Sequence, residues 1–324
     1  MTRTVTPAHA PRGGQSRLVL SRVHFPISAN TVKGAVRQVA RAEKAPIAIV
    51  QDMSSRLKVL HLPSMRLLGT LPAGTTPIMH MGVSPVGDEA FTLSQPRGTM
   101  EHVVTVYDLL KYRKRHTIRI SDRTVHAVRY TPRRFTLMIW AGNSQVSLLS
   151  TTSGRMIKIF DSEETRFIKV VPDAQGEGFL ASVESDPVHG TLRRVQWVGF
   201  AEGHVEMWRP KGPWVHYSLH DNALYYNDNK QLVRLNSHFR IQGAAWHTLQ
   251  TNRGSLLGER SGKALFYRYY NTLKLFKFDT GEELFSQRFP ERKPYKMGFT
   301  RDGLYGWVAT PAGVIGESHI IATS

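Results

Sequence analysis

Residues 111–134 carry Lys111, Arg113, Lys114, Arg115, Arg119, Arg123, Arg129, Arg133 and Arg134 against one carboxylate, Asp122. Protein surfaces normally interleave both signs of charge, so so one-sided a run asks for an anionic partner. The guanidinium fork can make two hydrogen bonds to one phosphate, and lysine adds a mobile point charge. A second basic segment, residues 1–42, holds seven Lys/Arg and no acid, among them Arg3, Arg12, Arg17 and Arg22. Together the two segments supply most of a formal net charge of +18. Tyr112 and Tyr130 lie among these cations, and an exposed ring there could stack on a single-stranded base. Packing in a sheet is the competing use of such rings.

Other chemistry is weakly marked. His216 and His220, followed by Asp221, share one face of a strand or a helix, yet a zinc site needs a third protein ligand and none is indicated. The chain has no cysteine, which removes disulfides, thiolate metal sites and cysteine nucleophiles. Neither a glycine-rich phosphate loop nor a nucleophile elbow is present. No cofactor is expected. No apolar run reaches the roughly 18 residues that cross a membrane as a helix. Trp208 and Trp214 flank Arg209-Pro210-Lys211-Gly212-Pro213, a rigid connection whose tryptophans either anchor a partner or fill space between repeating units.

The elements that must position these groups are short strands. In residues 124–161 the runs HAVRY, FTLMIWA, QVSLLS and RMIKIF are separated by Thr131-Pro132-Arg133-Arg134, Gly142-Asn143-Ser144 and Thr152-Ser153-Gly154. β-rich runs between turn residues read as a four-stranded antiparallel unit. The first turn recurs as Ser84-Pro85-Val86-Gly87-Asp88, as Pro172-Asp173-Ala174-Gln175-Gly176 and as Thr300-Arg301-Asp302-Gly303. Five steps of about 43 residues separate the first of these from the last, the repeat length of a propeller blade.

On these repeats the chain resembles the WD40/YVTN-type β-propeller superfamily over residues 17–323, in architecture only. Trp-Asp dipeptides are absent. The resemblance implies an all-β fold: a seven-bladed β-propeller of four-stranded antiparallel blades behind a basic extended tail, residues 1–16. The propeller takes 17–324, with a closing strand at 17–26 and blades at about 33–72, 76–120, 124–161, 165–209, 213–241, 243–289 and 294–323. An N-terminal strand that closes the ring removes an open sheet edge. The run AVRQVARAEKA reads as a strand or a short helix. The sixth unit has one run too many, with AAWHTLQ as its first, and the fourth has a polar loop at 182–190.

In this architecture the turn of residues 111–115 and the turn at Arg133 and Arg134 fall on one face. They bring Lys111, Arg113, Lys114, Arg115, Arg133 and Arg134 to one rim of the second and third blades. The expected function is a non-enzymatic scaffold in a larger assembly, bound to nucleic acid, RNA before DNA, through this rim and the tail. The alternatives are an adaptor for acidic protein surfaces in a viral, secretion or signalling assembly, and an enzyme with a pocket in loops of blades four to six. The expected compartment is the cytoplasm, with a mitochondrion or a virion as alternatives; the Arg-rich, acid-free start resembles a targeting segment in composition, though Pro7, Pro11, Gly13 and Gly14 interrupt any helix there.

Overall fold

The computed structural model describes residues 18–22 and, outside short connecting segments, residues 36–321; side chains are described mainly between 37 and 201. Among the described residues there is no helix, and the strands form seven four-stranded antiparallel sheets. Their first strands are Val36–Arg41, Ile78–Val83, Val125–Tyr130, Arg166–Pro172, His216–His220, Ser255–Gly258 and Lys296–Phe299. Each of the first six sheets runs in simple chain order. In the last sheet Leu18–Arg22 pairs with Gly313–Ile321, from Leu18 opposite Ile321 to Arg22 opposite Glu317.

First strands pack on first strands. Val36–Arg41 meets Ile78–Val83, which meets Val125–Tyr130, and the series continues through Arg166–Pro172 and His216–His220 to Ser255–Gly258. Val36–Arg41 also meets Tyr305–Thr310 of the last sheet. The core lies between sheet faces. On strand Thr136–Ala141, Leu137 and Ile139 join Phe91, Leu93, Val104 and Val106 of the second sheet. Met138 and Trp140 of the same strand join Phe167, Val170, Phe179 and Ala181 of the fourth. Alternate side chains point to opposite faces, so a sheet covered on both sides needs a continuous apolar run rather than an alternating one. Burying each such Leu or Phe is worth about 1.5–3 kcal/mol.

The turn after each first strand repeats in hydrogen bonds. The N–H of Ala42 donates to the Ile47 carbonyl, Ser84 to Glu89, Thr131 to Thr136 and Asp173 to Gly178, all five residues on. Three of these turns also accept a bond from the end of the third strand, from Leu109 to Asp88, from Thr151 to Phe135 and from Phe200 to Glu177. Side chains complete the turns. Ser84 Oγ accepts from the N–H of Asp88 and Glu89, and Asp173 accepts from Gln175, Glu177 and Trp197 Nε1. Gly87 and Gly176 supply φ values of 78° and 76° in two of these turns, and Phe135 takes a φ of 57° in the turn after Thr131.

Several boundaries differ from expectation. AVRQVARAEKA contains the strand Val36–Arg41, in which the β-branched Val39 is buried. The strand Gly178–Ser185 pairs with Leu192–Gly199 as far as Ser185 opposite Leu192, so residues 182–185, at the start of the expected polar loop, are ladder and not loop. The start of AAWHTLQ belongs to strand Ile241–Ala245, bonded to Leu232–Leu235 of the fifth sheet, which leaves the sixth with four strands. Phe239, at φ 59°, turns the chain just before it. Polarity misled the first boundary and apolar continuity the second, because pairing is decided by the partner strand.

Candidate polyanion interface

The second sheet consists of Ile78–Val83, Glu89–Ser94, His102–Asp108 and Arg113–Ile120. Its last turn is tighter than expected. Asp108 Oδ1 accepts from the N–H of Leu110 and Lys111, and Tyr112 takes a left-handed φ of 49°. The outer strand therefore starts at Arg113, and Arg113–Arg115 are strand residues. Lys114 pairs with Tyr107 and His116 with Val106, so Arg115 is the extra residue of a β-bulge. A bulge re-aims a side chain. Here it turns Arg115 inward onto Glu89 Oε1, with Asp108 Oδ2 3.4 Å away.

Glu89 is the centre of this polar cluster. Its side chain is fully buried, and Thr151 of the third sheet donates to Oε2 at 2.7 Å. Burial raises its pKa above the ordinary 4.5, and the Thr151 hydroxyl and Arg115 oppose this only in part. Asp108 behaves oppositely. Desolvation pulls its pKa up, but the N–H groups of Lys111 and Leu110 and the Arg115 guanidinium outweigh it and hold the carboxyl below the usual 3.8. Asp88 receives Ser84 Oγ at 2.7 Å on one oxygen, and on the other Arg134 through Nη2 at 2.9 Å and Nε at 3.2 Å.

Two of the six cations expected at the rim, Arg115 and Arg134, therefore brace the fold by binding carboxylates. Arg133 lies over the Phe200 ring of the next sheet, 5.7 Å from its centroid, and packs on Gly176. Lys111, Arg113 and Lys114 are exposed. The two tyrosines are packed. Tyr112 covers the backbone of Gly69 on the outer strand of the first sheet, where any Cβ would fall inside its ring. The Tyr130 ring sits 5.6 Å from that of Phe91, and its hydroxyl is buried with no hydrogen-bond partner. Burial, then the Glu89 and Asp88 charges, push the Tyr130 pKa well above 10. Arg22 and Trp208 lie on strands whose side chains are outside the described residues, as are Arg3, Arg12, Arg17 and Trp214 altogether.

Four-stranded sheets stacked face to face through their first strands match a solved structure, the β-propeller domain of Cps50 (Swd1) from Myceliophteria thermophila. The TM-score is 0.65 over 88% of this chain and 96% of that one, at 12% sequence identity. The fold is that of a β-propeller. Solved structures that match number 1550 chains, so the propeller by itself selects no activity. No family model matches the sequence, and no curated protein matches it significantly.

Propeller geometry puts the turns after first and third strands of every blade on one face. That face holds Asp88, Glu89, Asp108, Arg115, Arg134 and Thr151 as one charge-paired group. Sequence reasoning missed the three carboxylates because each lies in or directly beside a turn already explained by backbone chemistry. The one available signal was the adjacent pair Asp88-Glu89 at the end of a turn, one residue more acidic than the turn needs. His216 and His220 lie on the first strand of blade five, opposite Asn227 and Ala223. Among the described residues no group of three His, Asp or Glu side chains is placed to hold a metal, and no helix is long and apolar enough to cross a membrane.

Proposed function

We propose that this chain is a non-enzymatic propeller scaffold of seven blades, closed by Leu18–Arg22 against Gly313–Ile321, that docks on a polyanion within a larger assembly. The polyanion is RNA, and the contact is the basic edge of blades two and three together with the N-terminal tail. The observation that carries this reading is the division of labour among the cations. Arg115 and Arg134 are bound by buried or half-buried carboxylates, while Lys111, Arg113 and Lys114 are exposed and have no ion-pair partner among the described residues. Cations held off from acids in this way are open to phosphate, and each phosphate neutralised releases counterions.

The test is RNA binding measured by fluorescence anisotropy across a salt series, with the wild type and the K111A/R113A/K114A variant. Binding that weakens steeply with salt, with a slope reduced by about 0.7 per removed cation, supports the reading. Wild-type protein that binds no RNA at low salt overturns it.

A second reading rests on a separate observation. The outer strand of blade three, Met156–Phe160, exposes Met156, Ile157 and Ile159 by 41%, 59% and 56%. Large apolar side chains gathered on an edge strand suit a protein partner. On this reading the chain is an adaptor, and the basic edge meets acidic protein.

A further inference from the structure

The outer strand of blade two, Arg113–Ile120, is the edge of its sheet and pairs only with His102–Asp108 among the described residues. Arg113 and Lys114 open this strand, and Lys111 stands in the turn before it. Across the blade boundary His116 Nε2 meets the Thr152 carbonyl at 2.9 Å. A Cβ on Gly154 would lie 3.7 Å from Ile118 and 3.9 Å from His116. These contacts set Arg155, the next residue and an exposed one, beside the same outer strand. Lys111, Arg113, Lys114 and Arg155 have no ion-pair partner among the described residues. Arg119, farther along, lies 3.7 Å from Glu101 and is left out of this set.

The rings nearby are all engaged. Tyr112 covers Gly69, and Tyr130 packs on Phe91. The Phe135 ring lies under the Arg134 guanidinium, 4.5 Å from its centroid, and Arg134 is tied to Asp88. Among the described side chains no Phe, Tyr or Trp is exposed. This part of the surface therefore offers charge without a stacking platform.

That combination separates two forms of RNA. Proteins that hold single strands stack bases on aromatic rings, at about 1–3 kcal/mol per base, and that gain is missing here. A duplex has its bases already paired and stacked, and it carries one charge per about 1.7 Å of axis, twice the density of either strand alone. It is also stiff, so docking it on a rigid sheet edge orders little chain. Double-stranded RNA is recognised largely through its shape and phosphates. We propose that the RNA held by Lys111, Arg113, Lys114 and Arg155 is double-stranded and is gripped by its phosphate backbone. This rests on the RNA reading above and names the form of RNA that the site takes.

Fluorescence anisotropy at low salt tests it, with a labelled RNA duplex and an unstructured single strand of equal length as probes. The duplex is expected to bind tighter by about tenfold, the result of its charge density. R155A is expected to weaken duplex binding by about threefold and K111A/R113A/K114A by more, with thermal melts unchanged because all four side chains are exposed. A single strand bound as tightly as the duplex, or more tightly, overturns the proposal and leaves the RNA reading standing. Duplex affinity unchanged in both variants also overturns it. Binding of neither probe overturns the RNA reading and the proposal together.

Discussion

Thr151 donates its hydroxyl to the buried carboxylate of Glu89 at 2.7 Å, 62 residues away in sequence and across the interface of blades two and three. With Arg115 on the other oxygen, one carboxylate joins the turn of its own blade to its neighbour. Replacing Thr151 by Val keeps the shape and removes the donor. The loss is expected to be about 1–3 kcal/mol, the cost of an unmet buried acceptor, read from urea unfolding.

Arg115→Met leaves the Glu89 charge buried without its counter-ion. Destabilisation of about 3 kcal/mol is expected. The double variant with Glu89→Gln should recover much of it, since the stranded charge goes too. A double variant no more stable than Arg115→Met alone would show that Arg115 acts through packing.

Stability should depend on pH through three groups. Glu89 binds its proton more tightly in the folded chain than at the ordinary 4.5, so its contribution is full below 4.5 and declines as pH rises through the higher folded value. Tyr130 is raised well above 10, so its contribution declines as pH rises past 10. Glu89→Gln should flatten the acid-side slope, and Tyr130→Phe the alkaline one. Asp108, held below 3.8, adds stability that is lost as pH falls through its folded value. Unfolding midpoints across pH measure all three.

Arg134 and Lys114 should separate stability from binding. Arg134→Ala breaks a half-exposed pair with Asp88 and is expected to cost up to about 1 kcal/mol. Lys114→Ala should leave the melting temperature unchanged and weaken RNA binding more than Arg134→Ala does. Thermal melts and anisotropy on the two single variants decide it.

Tyr112 should prove a packing residue. Tyr112→Ala uncovers Gly69 and is expected to cost about 1–3 kcal/mol. Tyr112→Phe should leave both stability and RNA affinity unchanged, because the ring and not the hydroxyl covers the glycine.

The strand-and-turn rhythm was readable because turns are local chemistry. Ser84, Thr131 and Asp173 each sit at the end of a first strand, and each closes its turn with backbone bonds that span at most five residues. Such bonds need only the right residue at the right offset. The boundaries that went astray, residues 182–185 and the start of AAWHTLQ, are those where a distant strand supplies the pairing.

By itself the sequence determined where cations concentrate, that cysteine chemistry is absent, and that short apolar runs alternate with turns at a blade-length period. Tertiary structure alone decided which cations are spent. Arg115 finds Glu89 26 residues away, and Arg134 finds Asp88 46 residues away. Charge is a property of each residue, whereas its neutralisation depends on which blades lie side by side. The same stacking gathers Arg41, His80, His126 and Arg129, scattered over three blades, around one cavity.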